Sequence, residues 1–350
     1  MVSSPDLNST DPRFGVERVL HRLWSAALGH TEFGIHDNFY SVGGTEQSLA
    51  LLQAAIREEF GFDLSPDALG KAPTISSLTL RLRGGAGTGE RRVLIPLKRG
   101  KEDLTLVCFP PVGGGVARYA HLARRMDGWA VYGLQSVGLN AGSTPDTTIE
   151  SMAARYASEV EKIEPSRQLV FLGFSMGGII AVETAKIVEA RQGSVPQVVV
   201  VDAPPAYESP EDAGLDFATF VHQVLLLDVD VQDKTPDRWP AELEHVYETA
   251  VKRGLLPAKF DKTLLHRIAQ VYIANSQAAA RYAPTKFEGD VTLFQCTGGD
   301  EDEGDFGWAE YARSVRLVQL PSDHFSALEP DQVDAFFEVL NGLYQDELTR

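Results

Sequence analysis

Apolar residues recur at helical spacing through the first eighty positions and at strand spacing beyond about residue 92. Val16, Val19, Leu20 and Leu23 mark one apolar stripe. Leu49, Leu52, Ile56 and Phe60 mark a second, and Ile75, Leu78 and Leu82 a shorter third. Thr74 precedes the last stripe as a predicted N-cap. Four glycines within 84–89, with no apolar anchor, predict a flexible linker over 84–91. Downstream, β-branched and aromatic runs recur at 92–97, 104–109, 130–134, 168–173, 197–202, 291–296 and 315–320. Helix-length amphipathic segments lie near 117–126, 149–163, 177–191 and 331–343. Unbroken apolar runs such as Val198–Val201 suit parallel strands buried on both faces, so the alternation predicts a doubly covered α/β sheet. About 85 residues separate the strands ending at Asp202 and beginning at Val291. That interval exceeds an ordinary loop and predicts a helical lid over about 206–275. No internal repeat is visible.

The division is thus a helical domain over 16–83 and an α/β domain over 92–347. The whole chain has 350 residues and a formal charge of −17. A field of that sign repels nucleic acid and anionic lipid, so neither is expected as a partner. No apolar run reaches the 18 residues a spanning helix needs. Cys108 and Cys296 each end a strand-like run and read as small buried hydrophobes in a reducing compartment. The first twelve residues lack a basic start and an apolar core, so no secretory signal is expected and the cytoplasm is the predicted location. Residues 1–89 carry net −3 and the remainder net −14. Two acidic domains predict weak or variable mutual contact.

Gly173-Phe174-Ser175-Met176-Gly177-Gly178 follows a buried strand and opens an apolar helix. In that context G-x-S-x-G lifts a serine hydroxyl out of a strained turn at the carboxyl edge of the sheet. The helix start then offers amide donors and positive field where negative charge develops. A glycine-rich turn without chemistry is the plain alternative. A serine at its free pKa is a poor nucleophile, so a base is required. Of the later histidines, His222, His245 and His266 fall in the inserted region; His324, after a late strand in Ser322-Asp323-His324-Phe325, is the candidate base. Asp202, directly after Val198–Val201, is the candidate orienting acid, with Asp300, Asp302 and Asp305 as the runner-up set. The oxyanion site needs two amides. Met176 supplies one, and Val112, or failing that Gly113, the second from Cys108–Gly115; Pro110 and Pro111 have no N–H to donate. The same glycines lack the lysine and spacing of a phosphate fingerprint.

These residues together resemble the type I thioesterase domains that release product from non-ribosomal peptide synthetases. The resemblance rests on Cys-Phe-Pro-Pro-Val at 108–112, Gly-Phe-Ser-Met-Gly-Gly at 173–178, Val-Asp-Ala at 201–203 and Asp-His-Phe at 323–325. It implies an α/β-hydrolase fold with a helical lid, a triad of Ser175, Asp202 and His324, and Val112 and Met176 as oxyanion donors. Pro111 stands where macrocyclising members resemble this chain, which favours cyclisation over hydrolysis without deciding it.

Residues 16–82 resemble a peptidyl carrier domain, a small all-α four-helix bundle, through Phe33–Gly44 and Ile56–Leu64. The family has one residue between its glycine pair and the serine that takes phosphopantetheine. Here Gly43-Gly44-Thr45-Glu46 places Glu46 at that position, and Ser48 lies about half a helical turn on. No cofactor is expected for catalysis. A 4'-phosphopantetheine arm is expected on the substrate's carrier and is doubtful on this chain. The implied function is release of a peptidyl or related acyl chain through a seryl ester. The implied partners are an upstream synthetase module or a separate carrier protein. A stand-alone editing thioesterase, a general ester hydrolase and a docking module are the alternatives.

Overall fold

The computed structural model describes residues 15–60, 62, 64, 69–70, 72–83, 93–100, 104–163, 168–232, 235–298, 304–329 and 332–348. The predicted linker at 84–91 and the candidates Asp300 and Asp302 lie outside them.

The amino-terminal unit is helical. Helices α1 (Gly15–Leu28), α2 (Glu46–Phe60) and α3 (Ile75–Arg83) turn their predicted stripes inward. Leu20, Trp24, Phe39, Leu52, Ile56, Phe60 and Leu78 have no exposed surface. Trp24 and Phe39 meet edge to face at 4.9 Å. Burying a Leu- or Phe-sized side chain contributes about 1.5–3 kcal/mol, so this shared core holds the short helices together. Two helix starts are closed in the same way. Before α2, Thr45 Oγ1 accepts the Ser48 amide at 3.2 Å while Ser48 Oγ accepts the Thr45 amide at 2.7 Å. Before α3, Thr74 and Ser77 exchange the same pair of bonds at 3.1 and 3.2 Å. The N-cap expected of Thr74 is thus present, and each pair satisfies two amides that a helix start leaves without partners.

The remainder is a seven-stranded sheet with helices on both faces. In chain order its elements are β1 (Leu94–Lys98), β2 (Leu104–Phe109), α4 (Ala120–Arg125), β3 (Ala130–Leu134), α5 (Ile149–Val160), β4 (Gln168–Phe174), α6 (Met176–Gln192), β5 (Gln197–Val201), α7 (Trp239–Lys252), α8 (Lys262–Arg281), β6 (Phe287–Cys296), β7 (Ala312–Leu320) and α9 (Val333–Leu348). The spatial order is β1-β3-β2-β4-β5-β6-β7; β1 runs antiparallel to β3 and every other pair is parallel. Strand residues alternate between two cores. Leu106, Cys108, Leu172, Val199 and Val201 pack with α4 and α9, whereas Val107, Phe109, Phe171, Val198 and Val200 pack with α5 and α6. Chain order changes direction between β2 and β4, and a doubly wound sheet opens its crevice at the carboxyl ends of such a pair. Between β5 and β6, a helical turn at 217–224 with α7 and α8 forms a third core around Phe220, Trp239 and Tyr272. Among the described residues no helix is long and apolar enough to cross a membrane.

Contact between the helical unit and the sheet differs from the weak association that net charge predicts. Both contribute to one apolar cluster on the α4 and α9 face, and Ala72 and Leu80 enter the lid core. Arg124 on α4 donates to Glu59 on α2 at 2.8 Å, and Arg83 at the end of α3 donates to the Gln223 carbonyl of the lid at 2.8 Å. At Gly115 a β-carbon would lie 2.1 Å from the Arg83 carbonyl, so only glycine admits α3 this close. Net charge misleads here because apolar burial and a few local opposite pairs act at contact distance, where the summed field matters less.

Candidate active site

Sheet register brings the predicted residues to one edge. Phe109 pairs with Gly173, Phe174 with Val201, Val201 with Phe294, and Cys296 with Leu320. The segments that follow β2, β4, β5 and β7 therefore leave the sheet side by side, carrying Val112, Ser175, Asp202 and His324.

Ser175 sits between β4 and α6 at φ 54, ψ −136, a region that costs a non-glycine residue about 1–3 kcal/mol. The turn is tight because Gly173 has no side chain: a β-carbon there would stand 2.0 Å from the Gly177 carbonyl. Ser175 is the N-cap of α6, yet its side chain makes no capping bond. The hydroxyl instead meets the Tyr207 side chain. Burial pushes the Tyr207 hydroxyl up to about 12, the bond with Ser175 acting in the opposite sense. The backbone of the turn is pinned from β5, with the Ser175 amide donating to Val201 O at 2.9 Å.

Asp202 follows β5 at φ 53, its amide held by Phe294 O at 2.8 Å. One carboxylate oxygen accepts the Cys296 amide at 2.8 Å; the other lies 2.7 Å from His324 Nδ1. An ionised carboxylate only accepts, so Nδ1 carries the proton of that bond and Nε2 is left as the basic nitrogen. The His324 ring packs on Phe174 at 4.7 Å and on Phe325 at 5.2 Å. Ser175 and His324 line one cavity of about 90 Å³, with Val112 and Gly113 on one wall and Thr219, Gln223, Val224, Ile268 and Tyr272 of the lid on the other. Asp305 is used elsewhere: its carboxylate accepts the Gly307 and Ala309 amides at 3.0 and 2.9 Å. His222 meets Val229 O within the lid, and His245 and His266 ride on α7 and α8.

Met176 opens α6, where the first amides of a helix have no intrahelical acceptor. Val112 is held through its carbonyl, which accepts Asn275 Nδ2 from α8 at 2.8 Å. Tyr119 ties the same loop to the turn before Ser175: its hydroxyl donates to Phe109 O at 2.5 Å and accepts the Phe174 amide at 3.1 Å. Burial pushes this phenol well above its ordinary pKa, so it stays a donor. Trp308 Nε1 donates to Ala203 O at 2.8 Å and steadies the loop after Asp202. Sequence reasoning missed Tyr119, Tyr207, Asn275 and Trp308. Only Asn275 left a signal, as a lone amide in helical step with Ile268, Val271 and Tyr272.

In the helical unit, Glu46 is exposed at the first residue of α2, whereas Ser48 is buried in its bonds with Thr45. Of the cysteines, Cys108 is buried and Cys296 partly so, and burial pushes the Cys296 thiol up to about 12.

Comparison with known proteins identifies two families along the chain. The model of the thioesterase domain family matches residues 104–344, and that of the phosphopantetheine attachment site matches residues 18–82. The second match corrects the doubt placed above on phosphopantetheine for this chain: an attachment domain is part of the chain itself. That doubt weighed the register at Glu46 and the half-turn offset of Ser48, whereas the match runs over the whole helical unit, whose core at Leu20, Leu52, Ile56 and Phe60 is fully buried. A dimodular nonribosomal peptide synthase of Bacillus subtilis (strain 168) is 27% identical over 335 residues, covering 94% of this chain and 14% of the relative. Surfactin synthase subunit 3 of the same strain is 29% identical over 336 residues, covering 94% of this chain and 23% of the relative. The chain therefore spans under a quarter of either relative. A crystal structure of a four-domain nonribosomal peptide synthetase bound to AMP and glycine superposes with a TM-score of 0.67 at 25% identity, covering 96% of this chain and 26% of that one. The Vlm2 thioesterase domain, at 21% identity, shares the fold with a TM-score of 0.54 over 72% of this chain and 97% of its own.

Proposed function

Because the chain belongs to the thioesterase domain family and carries a phosphopantetheine attachment domain ahead of it, we propose that it releases a peptidyl or related acyl chain from a carrier-bound thioester through an ester on Ser175. The reading is carried by one observation: a strained serine and an imidazole held 2.7 Å from a carboxylate line the same cavity. Ser175 Oγ attacks the thioester carbonyl while His324 Nε2 takes its proton. The tetrahedral oxyanion is held by the amides of Met176 and Val112, and removing one such donor typically costs about 3 kcal/mol. The C–S bond then breaks, and His324 returns the proton to the departing pantetheine thiol. Asp202 keeps the imidazole in the tautomer this requires. The ester is next attacked by water, giving an acid, or by an amine or hydroxyl of the chain, giving a ring.

The cavity of about 90 Å³ is below the 300–1,000 Å³ usual for small-molecule sites, and movement of the lid would enlarge it for an acyl chain. The partner is an upstream synthetase module or a separate carrier protein, and the setting is the cytoplasm, which two free thiols support. Incubating the full chain with peptidyl-pantetheine thioesters and following intact mass tests the reading. The expected result is an acyl adduct on Ser175 that decays to linear acid or ring; turnover with no adduct, undiminished in Ser175→Ala, would refute it.

A further inference from the structure

The charge of the site cavity is opposite to that of the chain. The formal net charge is −17, yet the residues lining the cavity include Arg83 and Arg118 and no carboxylate. Arg118 lies with its guanidinium carbon 4.4 Å from the centroid of Phe174, and one of its amino groups donates to Phe325 O at 3.1 Å. Arg83 enters from the last residue of α3 and donates to Gln223 O at 2.8 Å. Burial and the charge of Arg118 lower its pKa to about 10, with Glu329 and Glu17 acting in the opposite sense, so Arg83 stays cationic at neutral pH. A guanidinium has five N–H donors, and one carbonyl uses one of them. Two like charges facing a cavity without a lining acid repel each other, and an anion bound between them would relieve that repulsion and form charge-assisted bonds.

Resting on the thioesterase reading of this site, we propose that Arg83 and Arg118 form an anion subsite of the acyl pocket, selecting chains that carry a carboxylate close to the thioester. Distance fixes which anion. Arg118 stacks on Phe174, and the Phe174 ring lies 4.7 Å from the His324 ring. Two contacts of that size span roughly two to three residues of an extended peptide. The phosphate of a pantetheine arm is separated from its thiol by the whole length of the arm, so with the thioester at Ser175 it lies farther out. The helical unit supplies half of the subsite, because Arg83 is the last residue of α3.

The test uses the full chain and N-acetylcysteamine thioesters, which carry no phosphate. One peptide is made with Glu, Gln or Lys at the second or third residue from the thioester. The glutamate form should be favoured over the glutamine form by about tenfold in kcat/KM, as expected for one charge-assisted hydrogen bond, with the lysine form slowest. Arg118→Gln and Arg83→Gln should bring the Glu-to-Gln ratio toward one, and Arg118→Glu should reverse the order of Glu and Lys. Should Arg83→Gln fail to fold, the Arg118 variants decide alone. Equal kcat/KM for the three thioesters overturns the subsite. So does a dependence on Arg118 confined to thioesters of phosphopantetheine, which would assign the arginines to the arm. Fluorophosphonate labelling of Ser175 in the same samples separates the two readings: without labelling the thioesterase reading fails, and labelling with no charge preference removes the subsite alone.

Discussion

Two helix starts in this molecule present hydroxyls in nearly the same local setting and use them in opposite ways. At α2, Gly43 and Gly44 lead into Thr45, whose hydroxyl caps the helix while Ser48 returns the bond. At α6, Gly173 leads into Ser175, which holds the N-cap position and does not cap. A capping hydroxyl is spent on backbone amides and stabilises its helix. Ser175 is turned away from those amides by a positive φ, so its oxygen faces Tyr207 and the cavity instead. The difference lies in backbone conformation more than in residue type. The serine at the start of α6 is a cap that the turn has withdrawn from its helix.

Substitution at Ser175 breaks the comparison most severely. Ser175→Ala should lower kcat by about 10⁴–10⁶ and abolish the acyl adduct, read by burst kinetics and intact mass. Ser175→Gly should be equally inactive and within about 1 kcal/mol of wild-type stability, since glycine adopts the positive φ without strain while the bond to the Tyr207 hydroxyl is lost. Chemical denaturation would check this. A larger loss of stability in the glycine variant would mean that the hydroxyl supports α6 as well as meeting Tyr207.

Asp202→Asn comes next, with an expected fall in kcat of about 10³–10⁴ while Ser175 remains accessible to a fluorophosphonate. The amide can donate to Nδ1 and so hold the ring in the wrong tautomer. Turnover at the wild-type rate would move the acid's role to another carboxylate. Asn275→Leu should cost less, about 10–100-fold, and chiefly in kcat. The leucine removes the donor that holds Val112 O, so the oxyanion loop loses position without losing its amide. A change in KM alone, measured on a short thioester, would assign Asn275 to binding.

How much of this was legible in the sequence follows from where each signal sits. The seven strands, the turn around Ser175 and the pairing of Asp202 with His324 were readable because buried parallel strands write themselves as β-branched runs whose ends the sheet must align. The lid was readable as an interval too long for a loop. Tyr119, Tyr207 and Trp308 were not readable, since each acts through one hydroxyl or ring nitrogen on a group far away in sequence, 55 residues in the case of Tyr119 and Phe174. The packing of the helical unit against the sheet was misread from net charge. Arg83 and Gly115 make that contact through a carbonyl and a missing β-carbon, neither of which has a charge to count.

The capping pairs offer the smallest effects and the sharpest form of the comparison. Thr45 is exposed with Ser48 beneath it, whereas Thr74 and Ser77 are both buried, at 7% and 0% exposure. A polar atom stripped of its partner costs more where water cannot replace the bond. Thr74→Ala should therefore destabilise the helical unit by about 2 kcal/mol and Thr45→Ala by about 0.5–1 kcal/mol, the upper and lower parts of the range for capping residues. Native-state hydrogen exchange of the first amides of α2 and α3 would resolve the two separately. Neither substitution should alter turnover of a short N-acetylcysteamine thioester, because these hydroxyls are spent on their own helices. If Thr45→Ala changed that rate, the start of α2 would be coupled to the cavity 130 residues away in sequence, and the two helix starts would no longer be independent uses of the same group.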